Sequence, residues 1–553
     1  MYSELKTLKI HPKDNVIVAL EDLNKGRYIK VNGDLIEITR DVKSKHKLSI
    51  HNLNPNDKII MYGVVVGVAQ KSITKGTPIN THNIKDEIQK FSIDNYEKSY
   101  CWKIPNVDKF SNKNFLGYKR SNGSVGTENN WLVIPLVFCQ NRNVEIIKAT
   151  ILKELGYENN SQGSYDLENL IKHFKKGSSP EQLMDIEIDF NNRKKNNPLF
   201  PNVDGIYFLT HDGGCGGTRE DSKTLCNLLA GYINNPNVAG ATILSLGCQH
   251  AQIALLKRSL KNLKFCKSKP LFYLEQQKSK SEKQFIAEAI KKTFIGLVEA
   301  NKIERTPQPL HSLVVGLECG GSDGFSGITA NPTVGYFSDL LVALGGSVII
   351  SEFPELHGIE QDLINRCLEL DKAKKFVQIM KTYNAKAEAL GSGFYANPSP
   401  GNVKDGLITN AIKSAGAAKK GGTSPVVDVL DYTEQLTKKG LNLLCTPGND
   451  VESTTGIVAS GANLILFTTG LGTPTGNPAV PVIKISSNTS LFNDMNDIID
   501  FNSGDIIDGK ETVESCGEKL LKYITDVASG KKIVCARQLG QNDFIPWKRG
   551  ISL

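Results

Sequence analysis

Apolar residues fall into two kinds of pattern along this chain. Over residues 1–92 they form short β-branched runs, VIVALEDL, GRYIKV, LIEIT, KIIMYGVVVGVAQ and TPINTHNI. LNPNDKI and ITKGTPI place Pro, Asn and Gly between them. Short runs split by turn formers predict a small β-rich unit. The polar stretch KDEIQKFSIDNYEKSY then reads as a linker. From about residue 115 the runs are unbroken. WLVIPLVFC (131–139) shows no polar alternation, as a strand buried on both faces requires. VEIIKATILKEL follows with helical spacing, VDGIYFLT runs up to His211, and ATILSLGC ends at Cys248. Between the last two, DSKTLCNLLAGYINNPN is helix-like and closes on Asn and Pro. Strand, loop, helix, strand predicts βαβ units in a doubly wound sheet. HSLVVGLEC, GSVIISEF, NLLCTPG and NLILFTTG repeat the style, and the charged, turn-rich KSKPLFYLEQQKSKSEKQ marks a boundary. The expected fold class is α/β: a β-rich domain over 1–92, then α/β domains with mainly parallel sheets over 93–270 and 271–553.

Composition narrows the functional classes. At 553 residues the chain is too long for one core. Hydrophobic residues at 40% and charged residues at 22% are ordinary for a soluble globular protein. The net charge of +8 comes from dispersed lysines, as in KKFVQIMKTYNAK and IKKTF, with no basic block carrying aromatics. Nucleic-acid binding is therefore not expected. MYSELKTLKIHPKDN lacks the apolar core of a signal peptide, and LLVALGGSVII is too short and glycine-rich to cross a bilayer. The expectation is a cytoplasmic protein without membrane or nucleic-acid partners. Eleven cysteines without a CxxC pair argue against a zinc ribbon, and their odd number against a full disulfide framework. A homo-oligomer is expected only from the general frequency of symmetric dimers.

Five loops follow apolar runs and mix glycine with reactive side chains: HDGGCGGTRED (211–221), GLECGGSDGFSG (316–327), SEFPELHG (351–358), TPGND (446–450) and FTTGLGTPTG (467–476). Glycine lets backbone amides approach an anion closely. Asp, Glu, His and Cys can bind a metal or move protons. None of the loops has P-loop spacing, and none is a GxGxxG followed by an acid at the dinucleotide distance. Loops at carboxyl ends of parallel strands are where doubly wound sheets take ligands.

These loops, with FLGYKRSNGSVGTEN, LGCQ, LECGGSDGFSGITANPTVG, GNVKDGLITNAIKSAG and FTTGLGTPTGNPAVPVIKISSNT, resemble the altronate dehydratase and galactarate dehydratase family over nearly the full length. YGVVVGVAQKSITKGTPINTHN resembles the family's N-terminal SAF-type domain. The resemblance implies a hydro-lyase that removes water from a sugar acid and leaves a 2-keto-3-deoxy acid. It also implies a divalent metal, iron(II) or manganese(II), that stabilises the enediolate. A base takes the C2 proton and an acid protonates the departing C3 hydroxyl. On this reading His46, His82, His211, Cys215 and Cys319 are metal-ligand candidates, with Cys248 a further thiol in a similar loop. His211, Asp323, Glu352, Glu355 and His357 are catalytic candidates. Ser322, Ser326, Asn331, Asn402, Lys413, Thr468 and Thr469 are candidate substrate contacts.

Each has a plainer reading. His46 and His82 are turn histidines, Asp323 caps its own turn, Ser322 and Ser326 are N-caps, and Glu352 and Glu355 are loop acids in water. Four positions depart from the family pattern. Glu128 and Leu471 stand where Arg is usual, Val403 where Lys is, and Ile412 where Glu is. Arg is the side chain best shaped to grip a carboxylate, so a different sugar acid or a weakened activity is expected. Two alternatives stay open: a family lyase that expels another group, such as sulfite, from a hydroxy acid, and a non-catalytic sugar-acid binding protein.

Overall fold

The computed structural model describes residues 6–31, 33–87, 91–97, 100–158, 164–191, 197–263, 266 and 268–553. The expected linker after residue 85 lies partly outside them. The N-terminal unit is built from short antiparallel strands. Thr7–Leu8, Val16–Ala19, Lys47–Ser49 and Pro78–Ile79 form one sheet, and Lys58–Met61, Val64–Ala69 and Ile84–Lys85 another. Ile17, Leu23, Ile29, Ile36 and Leu48 make a small core of their own. The opposite face, with Val16, Met61, Tyr62 and Val66, joins the main core of the molecule. Polar contacts fix this docking: Lys47 Nζ donates to Gly406 O at 2.7 Å, and Thr409 Oγ1 donates to Val66 O at 3.0 Å. Burial pushes the Lys47 ammonium down to about 7.

The second unit has four parallel strands in the order Gly205–Phe208, Asn130–Pro135, Val238–Ser245 and Leu271–Glu275. Every position of Val238–Ser245 is buried, which explains its unbroken apolar run. The run from Trp131 to Cys139 is not one strand. It ends at Pro135, which lacks a ladder N–H, and a 3-10 turn follows at Phe138–Gln140. Leu271–Glu275 pairs with Val238–Ser245, and the Glu282–Ala300 helix packs on the same sheet. The expected break at residue 270 thus falls inside one sheet. Its charged flanks belong to an edge strand, where charge is tolerated.

The third unit is a seven-stranded parallel sheet in the order Val426–Leu430, Leu441–Leu444, Ser347–Ile350, Val314–Cys319, Leu464–Thr469, Val482–Ser486 and Phe501–Asn502. From Val314–Cys319 the chain winds first to one side and then, at Leu464–Thr469, to the other. That reversal is the switch point at which open α/β sheets bind ligands.

Trp131 anchors the second unit. It is fully buried, and its Nε1–H donates to Thr242 Oγ1 at 3.2 Å. The Glu282–Ala300 helix lies so close that a Cβ on Gly296 would stand 2.0 Å from the indole. Gly296→Ala is expected to cost about 1–3 kcal/mol of stability. This would appear as a lower urea midpoint at unchanged slope. An unchanged midpoint would refute the tight packing.

Candidate active site

Neighbouring carboxyl ends of the third sheet, on one side of the switch point, bring their side chains together. Cys319 ends the Val314–Cys319 strand, and Glu352 lies two residues beyond Ser347–Ile350. Glu355 sits in the 3-10 turn Phe353–Leu356, and Asp450 opens the Asp450–Ala459 helix. Lys413 comes from the Asn410–Ala417 helix and Lys420 from the turn Ala418–Gly421.

Lys420 is the centre of the group. Its Nζ donates to Cys319 Sγ at 2.7 Å and to Glu352 Oε2 at 2.8 Å. The Cys319 thiol lies 3.5 Å from Glu352 Oε2 and 3.3 Å from Glu355 Oε2. Glu355 Oε1 pairs with Lys413 Nζ at 2.5 Å, and that ammonium also donates to Asn397 Oδ1 at 2.9 Å. Burial and the nearby Glu352 charge push the Cys319 thiol well up, so it keeps its proton. Burial would also raise Glu355, but Lys413 and Lys420 outweigh it and hold the carboxyl below its ordinary range. Burial, with the charges of Glu352 and Glu355, raises Asp450 to about 7.

Glu352 is held in a costly conformation. Its backbone is left-handed, with φ 62° and ψ 57°, and its N–H donates to Thr446 Oγ1 at 2.8 Å. A non-glycine residue there stores about 1–3 kcal/mol, and such residues cluster at functional sites. Glu318, one residue before Cys319, is hydrogen-bonded to Glu352 and pushed well up by burial and by that carboxylate. Its Oε2 accepts from Ser453 Oγ at 2.5 Å.

A cleft of about 580 Å³ opens on the outer half of this group, lined by Ser322, Glu355, Asn402, Lys413, Asp450 and Leu471 among others. Cys319, Glu352, Glu355, Ser322, Asn402 and Lys413 are therefore brought together as the loop motifs suggested. The acids are buried, not loop acids in water. Lys420, Asp450, Glu318 and Asn397 were not singled out from sequence.

Other candidates lie elsewhere. Asp323 is fully buried behind the cleft. Its Oδ1 accepts from Ser326 N and Oγ, each at 2.9 Å, and from Ser487 Oγ at 2.8 Å. Its Oδ2 pairs with Lys45 Nζ of the N-terminal unit at 3.0 Å. Asp323 and Ser326 are thus a domain-docking lock. Asn331 and Thr468 bond each other at 2.7 Å, Asn331 also donates to Gly416 O, and Thr469 Oγ1 accepts from Gly472 N–H. All three are buried braces of strand and helix. His357 Nδ1 lies 2.6 Å from Glu360 Oε1, away from the cleft lining.

The five expected metal ligands are not assembled into one site. His46 Nε2 bonds Lys404 O at 3.0 Å, and half-burial lowers its pKa. His82 is exposed in a turn of the N-terminal unit. His211 spends both ring nitrogens on backbone: Nε2–H donates to Pro135 O at 2.8 Å, and Nδ1 accepts from Gly213 N–H at 3.0 Å. Burial keeps it neutral. No lone pair is left for a metal. Cys215 belongs to the second sheet and Cys319 to the third. Among the described residues, Cys319, Glu352 and Glu355 form a group whose ligand atoms lie within 4.8 Å of one another. One thiol and two carboxylates suit iron(II) or manganese(II).

The four departures also resolve. Glu128 is gripped by Arg537 through two bonds, at 2.9 and 2.7 Å, and so serves domain packing. Ile412 is core and Val403 packs against it, while Leu471 alone among the four lines the cleft.

Two parallel α/β sheets behind a small β-rich unit, with an acid–lysine–thiol group at one carboxyl edge, define a three-unit α/β protein with a buried polar site. The chain belongs to the altronate/galactarate dehydratase family. Residues 5–87 match the altronate/galactarate dehydratase SAF domain, 117–301 the D-galactarate dehydratase/altronate hydrolase second domain, and 310–552 the D-galactarate/altronate dehydratase C-terminal domain. It is 33% identical to an altronate dehydratase of Bacillus subtilis over 99% of each chain. It is 31% identical to a galactarate dehydratase (L-threo-forming) of Escherichia coli over 96% of this chain and 94% of that one. A (2R)-sulfolactate sulfo-lyase subunit beta of Chromohalobacter salexigens is 26% identical over 78% of this chain and 97% of its own.

Asp323→Ala is expected to cost about 1–3 kcal/mol by leaving the Ser326 and Ser487 hydroxyls without their acceptor, while Lys45 keeps Asp405 at 3.7 Å. Denaturant unfolding would read this; a variant as stable as the parent would return Asp323 to the catalytic candidates.

Proposed function

We propose that this chain dehydrates a sugar acid of the altronate or galactarate type to a 2-keto-3-deoxy acid. The observation that carries the reading is a pair of carboxyls lining one cleft. Glu355 is held ionised by Lys413, while Asp450 carries a proton up to about pH 7. Two carboxyls driven apart in this way divide into base and acid.

Glu355 takes the C2 proton, and the electron pair left at C2 moves toward the carboxylate. Lys413 offsets the growing negative charge. The C3–O bond then breaks as Asp450 passes its proton to the hydroxyl, which leaves as water. The enol formed between C2 and C3 becomes the 2-keto-3-deoxy product. Asn402 and Ser322, at the cleft wall, are placed to meet substrate hydroxyls. Cys319 and Glu352, beside Glu355, would hold a divalent ion, iron(II) or manganese(II), which when bound would supply a Lewis acid for the substrate carboxylate and C2 hydroxyl.

Leu471 bears on the choice of substrate. It puts an apolar side chain at the cleft, so that part of the wall does not call for a second carboxylate. This favours an altronate-like acid with one carboxylate over a galactarate-like acid with two.

An anaerobic assay with iron(II) or manganese(II) should yield 2-keto-3-deoxy acid from altronate faster than from galactarate. Glu355→Gln should lower the rate by about 10²–10⁴-fold. Sulfite release from sulfolactate instead would favour the sulfo-lyase reading. No product from a folded, metal-loaded chain would favour a binding role.

Asp450 also sets a pH limb. It donates only while protonated, so the rate should fall as pH rises through about 7. In Asp450→Asn the rate should drop and that limb should vanish. A limb that persists in the variant would assign it to another group.

A further inference from the structure

Three cysteines that the dehydration steps do not use stand on one rim of the second unit. Cys139 follows the Asn130–Pro135 strand, Cys215 follows Gly205–Phe208, and Cys248 follows Val238–Ser245. These strands are direct neighbours, with Asn130–Pro135 in the middle. Paired strands lie about 4.8 Å apart. All three thiols are on the carboxyl side of the sheet. The chain reverses its winding between Asn130–Pro135 and Val238–Ser245, so Cys139 and Cys248 flank this sheet's own switch point.

The three loops are tied to one another. Phe138 N–H donates to Gly213 O at 3.1 Å, and Ala251 N–H donates to Gly214 O at 3.1 Å. Gly214 has φ +99°, and a Cβ there would stand 2.1 Å from Leu136 O. Only a bare glycine lets the Cys215 loop press so closely on the chain leading to Cys139. Gln277, just past the fourth strand, donates Nε2–H to Cys248 Sγ at 3.3 Å.

The exposure of these thiols is selective. Of eleven free cysteines, four are exposed: Cys101, Cys139, Cys215 and Cys248. Three of the four share this rim. Exposed thiols are open to oxidation, and three on one rim are a liability unless something caps them. Thiolates select zinc or iron–sulfur clusters. Two thiolates on one zinc, each about 2.3 Å from it, stand at most about 4.6 Å apart. Among the described residues, the ligand atoms gathered within 4.8 Å are those of Cys319, Glu352 and Glu355, not these three sulfurs. A polynuclear cluster spans thiolates held farther apart.

We propose that Cys139, Cys215 and Cys248 hold an iron–sulfur cluster of the [4Fe–4S] class, with one iron left without a protein thiolate. Each thiol loses its proton on forming its Fe–S bond, the four irons enter as two iron(II) and two iron(III), and the sulfide is inorganic, so the cluster forms without a further oxidant. Cys215 lines a cleft of about 400 Å³, which gives small molecules access to this end of the rim. The site is separate from Cys319, Glu352 and Glu355 and stands whether or not the dehydratase reading does.

The test is anaerobic reconstitution of the full chain with equal parts of iron(II) and iron(III), sulfide and a thiol, followed by desalting. The expected result is about four iron and four acid-labile sulfide per chain, with broad visible absorption that bleaches on reduction. Cys139→Ser, Cys215→Ser and Cys248→Ser should each lose most of the bound sulfide, while Cys101→Ser and Cys319→Ser keep it. Alkylation of the parent chain covers the event that a variant misfolds: loading should protect Cys139, Cys215 and Cys248 and leave Cys101 reactive. Iron or zinc bound without sulfide, sulfide retained in the three variants, or equal alkylation with and without loading would each overturn the proposal.

Discussion

An ammonium group buried to 1% exposure cannot stand without anionic or polar partners, and Lys420 is such a group. Its partners are the thiol of Cys319 and the Oε2 of Glu352, both at the carboxyl edge of the third sheet. Much of the site's geometry follows from satisfying that one charge. Glu352 reaches it only through a left-handed backbone, braced by the hydroxyl of Thr446. Two buried carboxyls beside one ammonium cannot both be ionised comfortably, so Glu318 keeps a proton toward Glu352. The outer half of the group is built differently. Glu355 and Lys413 pair at the cleft wall, where a substrate can compete for either partner. A sealed inner half thus fixes an outer half that can exchange partners, which suits a site that must hold and then release an anion.

The class of fold was legible because parallel strands covered on both faces leave unbroken apolar runs, such as Val238–Ser245. The break at residue 270 misled because Leu271–Glu275 is an edge strand with charged neighbours, and an edge looks like a linker from its composition. The acids at 352 and 355 were readable because acid at a strand end is rare without a role. Lys420 was not, since it is one of 66 lysines and arginines and nothing in KKGG announces burial. His211 has the sequence setting of a ligand, yet a carbonyl and an amide take both of its nitrogens. Glu128 looked like a lost substrate contact because its partner, Arg537, lies 409 residues away. Pairings of that span are set by domain packing, which local patterns do not carry.

The last residues of the chain bear on both rims. Ser552 bridges to Gly217, and Leu553 N–H donates to Gly216 O at 2.7 Å, directly beside Cys215. Asp221, at the start of the next helix, accepts from the backbone of Arg549 and Gly550. The Arg549 guanidinium meanwhile pairs with Asp431 of the third unit at 2.6 Å. Trp547 packs on Tyr383, and Tyr383 lines the cleft that holds Glu355 and Asp450. One short segment therefore positions a loop of the cysteine rim and a wall of the acid–lysine cleft. A shift at either rim must strain this segment or break its ion pair. The two α/β units are in this sense not independent modules: the chain closes on itself so that the geometry of one carboxyl edge constrains the other.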